Sequence, residues 1–505
     1  MRHAHTVEQV RAAEAELAGQ PLMDRAVAGL AATCARLLRE RRGRVYGSRV
    51  LVLAGSGDNG GDALFAGAAL ARRGAAVSAV LLSPEKAHRA ALAALRATGG
   101  QVTTDQNVGL ADFARADLIL DGIVGIGGRS GLRPAAAPYA TAPRTGLLVA
   151  VDLPSGVDAD TGEVAGAALR ADLTVTFGTH KPGLLIDPGA GHAGPVQLVP
   201  IGLRPPAAPV QALQHADLAA LLPRPGAESD KYRRGVLGVR AGSERYPGAA
   251  QLVVAGALHG GAGAVRYLGR PGAEVVRRHP EVLLGDGRVQ AWVVGPGSGE
   301  ATVEALDATL AAEVPVLVDA DGLTELARRG PGALAGRTAP TLLTPHTGEA
   351  ARLLGGAATA ERCAAARLRT ARELADRYGA TVLLKGSTTV VARPDGTARV
   401  NPTGTSWLAT AGSGDVLAGL AGALLAAGLD PFDAASAAAY LHGLAGRLAA
   451  AGGNRLPFGS VHSTVGDRGE APVTARQVAA ALPAAWRNAT APQGGSQQDA
   501  AGLGD

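Results

Sequence analysis

Short apolar runs that end in glycine-rich turns and lead into helices recur along this chain, and they leave it few folds to choose from. Arg49 to Ala54 runs into Gly55-Ser56-Gly57-Asp58-Asn59-Gly60-Gly61-Asp62 and then into a helical stretch from Ala63 to Arg73. Further strand-like runs lie at 76–82, 117–121, 147–152, 173–177 and 196–199. A strand with no polar alternation has to be covered on both faces, and strands that alternate with helices build a parallel sheet. After the proline-rich break Arg204 to Pro209 the pattern restarts, with runs at 236–240, 292–294, 316–319, 342–343 and 382–384. The fold class is therefore α/β in two domains, 1–210 and 229–488, with 211–228 as linker. The Gly/Gln/Ser-rich stretch 489–505 is expected to be a disordered tail.

Composition narrows the function. The chain is 47% hydrophobic and 18% charged, which is globular, and with aromatics at 3% its core must be Ala, Val and Leu. The uncharged run Val416 to Leu429 is interrupted by Gly419, Gly422 and Gly428 and falls short of a membrane span. Glu8 and Arg11 interrupt the N-terminal stretch, so no apolar signal core is expected, and the reading is cytoplasmic. Cys34 and Cys363 cannot make a disulfide framework and read as ordinary helix residues. The net charge of +5 is spread without aromatic interleaving, and its densest cluster, Arg39 to Arg44, suits a helix C-terminus. No nucleic-acid or membrane partner is expected. Basic residues are nearly all arginine, so the four lysines, Lys86, Lys181, Lys231 and Lys385, mark places where a point-charge ammonium is needed.

Two groups of residues carry chemistry. In Ala409 to Gly419, the turn Ala411-Gly412-Ser413-Gly414 opens a long apolar helix. Converging amides and the helix dipole make an anion site, and Asp415 stands where it can take a proton from a hydroxyl facing that anion. A plain helix cap is the competing reading of Asp415. In the first half, Asn59, Asp121, Asp152 and Ser155 fall at or just after the carboxyl ends of strands, where open α/β sheets bind ligands. Gly125-Ile126-Gly127-Gly128-Arg129-Ser130-Gly131 adds a flexible loop at the same edge. Gly55 to Gly60 matches GxGxxG, but Asp58 and Asp62 would oppose a pyrophosphate and no ribose-binding acid follows the second strand, so a dinucleotide dehydrogenase is rejected.

These motifs resemble a known family. Gly57 to Asp62, Asp121 to Gly131 and Val151-Asp152-Leu153-Pro154-Ser155-Gly156-Val157-Asp158 are similar to the NAD(P)H-hydrate epimerase domain, with a Rossmann-like fold. Gly295-Pro296-Gly297-Ser298-Gly299, Thr344 to Glu349, Leu384-Lys385-Gly386, Asn401 to Gly404 and Gly412 to Leu417 resemble the ADP-dependent NAD(P)H-hydrate dehydratase domain, which is ribokinase-like. The set runs in order through both halves, over roughly residues 6 to 487. The resemblance implies a bifunctional repair enzyme, both isomerase and lyase. It would interconvert the R and S hydrates of NADH or NADPH and dehydrate the S form by phosphorylating the ring hydroxyl and expelling phosphate.

By the same resemblance, Asp58, Asn59, Gly60, Gly61, Asp62, Gly125, Ile126, Gly127, Gly128, Arg129, Ser130, Gly131 and Asp152 hold the hydrate in the first domain. Asn59, Asp121 and Ser155 hold potassium, and Asp152 is the acid/base. In the second domain Ala249, Gly297, His346 and Asp415 surround the hydrate, with Asp415 as base. Lys385, Gly386, Ser387, Thr388, Thr389 and Gly414 bind ADP, whose polyphosphate brings Mg²⁺. His346 reads equally as the cap of the helix carrying Glu349, and Lys181 as a phosphate attractor or a surface turn. Three stretches depart from the family pattern: Asp230-Lys231-Tyr232 replaces an expected His-Lys-Gly, Ala411 replaces a glycine, and Leu22 to Val27 varies from the family's helix. A homo-oligomer is expected. The rival readings are a small-alcohol kinase of ribokinase type and a first domain that serves only as a non-catalytic scaffold.

Overall fold

The computed structural model describes residues 1–453 and 470–491. Two sheets organise them. The first is seven-stranded and parallel throughout, built from β2 (Arg49–Ala54), β3 (Ala76–Leu81), β4 (Gln101–Thr103), β5 (Leu118–Gly122), β6 (Leu147–Val151), β7 (Leu173–Phe177) and β8 (Val196–Val199). Its order, β4-β3-β2-β5-β6-β7-β8, reverses direction between β2 and β5. A crevice therefore opens at the carboxyl ends of those two strands. Along β2, Val50 and Val52 pack beneath helices Leu22–Arg42 and Asp58–Ala71, while Leu51 and Leu53 pack on the opposite face with Phe113 and Tyr139. Both faces are dry, as the uninterrupted apolar strands require.

The second sheet has eleven strands. Seven follow the expected alternation or extend it: β10 (Val236–Arg240), β11 (Ala264–Tyr267), β12 (Leu283–Leu284), β13 (Ala291–Val294), β14 (Val316–Val318), β15 (Thr341–Leu343) and β16 (Thr381–Leu384), all parallel. Antiparallel β17 (Thr389–Ala392) and β18 (Ala398–Asn401) complete that edge. Order reverses again between β10 and β13. One face is covered by helices Pro247–His259, Ser413–Ala426, Pro431–Ala450 and Ala475–Thr490.

Two strands beyond β18 were not expected. β9 (Val210–Ala212) pairs in parallel with β18, and β1 (Arg2–Ala4) pairs antiparallel with β9. The start of the chain and the segment after the proline-rich break thus belong to the second sheet. The reading of 211–228 as a linker is corrected accordingly: it holds the end of β9 and helix His215–Leu221, whose Leu218 is fully buried in the second core. Three-residue strands carry too little periodicity to be seen in sequence. Ala4, Leu185, Ile186 and Val210 also sit in the second domain's core, so the two units share packing. Helix Ala475–Thr490 extends past 489 with Ala489 buried, so the tail cannot begin there. The remainder of that expected tail, 492–505, lies outside the described residues.

Cys34 and Cys363 are both buried on helices, as read from the sequence. Arg39, Arg41 and Arg42 occupy the last turn of Leu22–Arg42, and Arg42 pairs with Asp117 at 3.3 Å. No helix among the described residues is long and apolar enough to cross a membrane.

Candidate active sites

The first crevice is a cleft of about 800 Å³, lined by Gly55 to Asn59, Asp62, Gly125 to Arg129, Gly131 and Asp152 among others. That size suits a large polar metabolite. Its glycines are needed because strands and loops meet too closely for side chains: a Cβ on Gly55 would fall 1.9 Å from Ile123 O. Gly60 and Gly61 do not line the cleft. They form the first turn of Asp58–Ala71, where a Cβ on Gly60 would meet Gly55 O at 2.6 Å. Ser130 is also turned away, donating to Glu163 O at 3.0 Å and accepting from Ala165 N–H at 2.6 Å.

Asp152 ends β6 with a left-handed φ of 68°, a conformation an aspartate adopts only when its surroundings hold it there. Its Oδ1 accepts from Lys181 Nζ at 2.5 Å, Thr176 Oγ1 at 3.0 Å and Phe177 N–H at 3.2 Å. Oδ2 takes no bond among the described residues. Lys181 is 1% exposed, and its other protons go to Thr176 Oγ1 and Phe177 O, both at 3.0 Å. The surface-turn reading of Lys181 does not stand: it is a buried partner of Asp152 that also lines the cleft. Asp62 has a buried Oδ1 with no partner, and its carboxyl is pushed up to about 8 by burial, reinforced by Asp152, Asp58 and Glu14. The cleft thus pairs a carboxylate anchored by an ammonium with a carboxyl that holds its proton near neutrality, the division of roles that acid–base chemistry uses.

Beneath the cleft floor, Asp121 is fully buried. Oδ1 accepts from Ser155 Oγ at 2.6 Å and Oδ2 from Ser155 N–H at 2.8 Å. These donors are neutral, and burial pushes its carboxyl up to about 6. Asn59 packs against Gly125, and its Nδ2 is buried without a partner. A buried carboxylate answered only by neutral donors, beside hydroxyl and amide oxygens, fits a hard cation held by oxygen. Among the described residues no group of three or more His, Cys, Asp or Glu could hold a metal ion.

The second site is built at the carboxyl ends of β13 to β16. Ser413–Ala426 begins after Gly412, whose φ of 83° turns the chain into the helix, so the amides of the turn converge as the motif requires. Asp415, in its first turn, makes no hydrogen bond or ion pair among the described residues. Its carboxyl is raised to about 7 by burial and by Asp319, against the lowering effect of Lys385. Lys385 Nζ bonds Asp319 Oδ1 at 2.7 Å and lies 3.8 Å from Glu349 Oε2. A Cβ on Gly414 would come within 3.4 Å of that ammonium. The cation thus stands directly over the amide turn. Ala249 and Gly297 meet at the reversal between β10 and β13, where a Cβ on Gly297 would sit 2.8 Å from that of Ala249.

A cavity of about 700 Å³ adjoins this turn, lined by Lys385, Gly386, Ser387, Thr389, Ser413 and Gly414. Thr388, expected at the nucleotide, does not line it: its hydroxyl is committed to Asp187. His346 does cap Thr347–Leu354. Its Nδ1 accepts from the Gly348 and Glu349 amides at 3.0 and 3.3 Å, while Glu349 Oε2 accepts from His346 N–H at 2.8 Å. Lys231 stacks over Tyr232 at 5.3 Å, outside both cavities.

Two family models match the chain: one described as YjeF-related protein N-terminus over residues 19–183, and one described as NAD(P)H-hydrate dehydratase over residues 237–457. The bifunctional NAD(P)H-hydrate repair enzyme Nnr of Mycobacterium leprae is 51% identical over 464 residues, covering 89% of this chain and 95% of that protein. The chain belongs to the bifunctional NAD(P)H-hydrate repair enzyme family. The Mycobacterium tuberculosis (strain H37Rv) member is 50% identical over 449 residues, covering 86% of this chain and 92% of its own length. Among solved structures, the ADP/ATP-dependent NAD(P)H-hydrate dehydratase of Bacillus subtilis, co-crystallised with ATP and Mg²⁺, is 30% identical. It covers 55% of this chain and 99% of its own, with a TM-score of 0.48.

Several residues of this family member's cavities escaped sequence reading. Arg11 and Glu14 reach the first cleft from helix Val7–Ala15, and Arg133 joins Arg129 there. In the second site, Asp319 holds Lys385, and Arg367, His442 and Asp187 line the cavity. The position of Asp319 at a strand end was the one available signal. The others depend on tertiary packing.

Proposed function

We propose that the first domain epimerises NAD(P)H-hydrate and that the second dehydrates the S epimer at the expense of ADP, restoring the reduced cofactor. The observation that carries this reading is Asp415: an unpaired carboxyl near neutrality, in the first turn of a helix whose amides face the Lys385 ammonium. A base near 7 beside an anion-binding turn suits phosphoryl transfer to an alcohol. Asp415 takes the ring hydroxyl proton, and the Gly412 to Gly414 amides with Lys385 steady the transferring phosphoryl group. AMP is left by the transfer; phosphate then leaves with the C–O bonding electrons as a proton leaves the adjacent ring carbon, and the ring double bond returns. Mg²⁺, bound with the polyphosphate, would offset its charge.

In the first domain, the hydrate lies over Asp152, whose free Oδ2 serves the hydroxyl that leaves and returns. Asp62 supplies a proton as it leaves, and Arg11, Arg129 and Arg133 face the cofactor phosphates. Asn59, Asp121 and Ser155 would hold potassium, which would offset the charge of the buried Asp121. Both activities belong in the cytoplasm, where reduced nicotinamides turn over. The test offers mixed hydrate epimers with ADP and Mg²⁺ and follows the reduced-nicotinamide absorbance. Recovery in a fast S phase and an epimerase-dependent R phase is expected. No recovery, or a phosphorylated alcohol as net product, would sink the proposal in favour of a small-alcohol kinase.

A further inference from the structure

The cavity beside Lys385 is not walled by the second domain alone. Leu185 and Ile186, which follow the first-domain turn Pro182–Leu184, are packed into the second domain's core, and Asp187 after them lines the cavity. Its carboxylate Oδ2 accepts from Thr388 Oγ1 at 2.9 Å, and its backbone N–H donates to the same hydroxyl oxygen at 3.2 Å. Thr388 is 2% exposed and lies in the turn between β16 and β17, which supplies Lys385, Gly386, Ser387 and Thr389 to the cavity. On the other side of the turn stands Arg367, 9% exposed, with a buried Nε that has no partner. A Cβ on Gly386 would fall 1.9 Å from Arg367 Nη1, so the guanidinium lies flat against the turn backbone.

We propose that Asp187 is a positioning residue for the nucleotide: by holding Thr388, it fixes the Lys385–Thr389 turn against Arg367, so that the first domain completes the nucleotide site of the second. This rests on the reading of the cavity as the ADP site. The geometry makes the bond local and specific. A buried hydroxyl is held by a main-chain donor and a carboxylate acceptor from a segment 201 positions away, and among the described residues nothing else in the turn is anchored to the first domain by a side-chain hydrogen bond. Arg367, left with an unsatisfied donor at the cavity wall, has its burial partly offset by the Asp187 charge.

The experiment measures ADP binding by calorimetry and KM for ADP in the dehydration assay on the full chain. Asp187→Ala and Thr388→Val should each raise Kd and KM for ADP about tenfold with kcat within about twofold, as expected for loss of one charge-assisted bond. Asp187→Asn keeps an acceptor for the Thr388 hydroxyl and should stay within about threefold of the parent. Unchanged KM and Kd in Asp187→Ala or in Thr388→Val would overturn the proposal. So would a loss in Asp187→Asn equal to that in Asp187→Ala, since the acceptor would then not be what matters. A parent protein that neither binds nor consumes ADP would instead bring down the nucleotide reading beneath it.

Discussion

Asp415 and Asp152 show how differently two carboxylates can be prepared for proton transfer. Asp415 is left unpaired and half-buried, and desolvation together with the nearby Asp319 charge raises its carboxyl to about 7, out of the usual acidic range. As a base it works only when ionised. Dehydration should therefore rise as pH climbs through about 7 and level off above it, and Asp415→Asn should cost about 10²–10⁴ in kcat while epimerisation continues. A flat profile from pH 6 to 8 in the parent would remove Asp415 from that role. Asp152 is instead held by Lys181, with one oxygen saturated and the other open to the cleft. Lys181→Met and Asp152→Asn should both abolish the slow, R-derived phase of cofactor recovery and leave the fast S phase. Each variant strands one buried charge of the pair, Asp152 in the first and Lys181 in the second, so both should cost about 3–5 kcal/mol in stability. Denaturant titration measures both losses.

At the scale of elements, the second site depends on how closely helix Ser413–Ala426 approaches Pro247–His259. A Cβ on Gly419 would lie 1.9 Å from Val253 O, and one on Gly256 would lie 2.2 Å from Val416 O. The two glycines let the backbones touch, which sets the height of the Gly412–Asp415 turn over the sheet. Gly419→Val should destabilise the fold by about 1–3 kcal/mol or more in urea titrations and should raise KM for ADP as the turn is displaced. Much at this scale was legible in the chain. The continuous apolar strands, the glycine turns and the strand-end Asn59, Asp121, Asp152 and Ser155 are local patterns, and they gave the sheets and the outline of both sites. What was illegible is non-local. Lys181 looks like any turn lysine until Asp152, 29 positions earlier, is brought to its ammonium. Thr388 looks like a nucleotide contact until Asp187 claims its hydroxyl. His346 could be read two ways because a capping histidine and a ligand-binding one occupy the same place in sequence.

Over the whole molecule, the two units are interleaved rather than joined end to end. β1 and β9 extend the second sheet beyond β18, and Leu185 and Ile186 lie in its core. Removing residues 1–5 uncovers the β9 edge and breaks the bond between His5 Nδ1 and Thr179 Oγ1 at 2.6 Å. That deletion should lower the melting temperature of the whole chain and increase aggregation, measured by calorimetry and light scattering, more than a deletion confined to 495–505 does. An unchanged melting temperature would mean that β1 contributes little.

The place of β1 also bears on how the protein is made. β1 docks beside β9, and β9 in turn needs β18, which is translated about 190 residues after it. At about 5–20 residues per second, that strand edge stays open for on the order of 10–40 s. The epimerase unit can fold meanwhile around β2 to β8, but its ends stay unsecured until the dehydratase sheet is nearly complete. A repair enzyme assembled in this way cannot release a finished half early, and each chain that folds delivers both activities together.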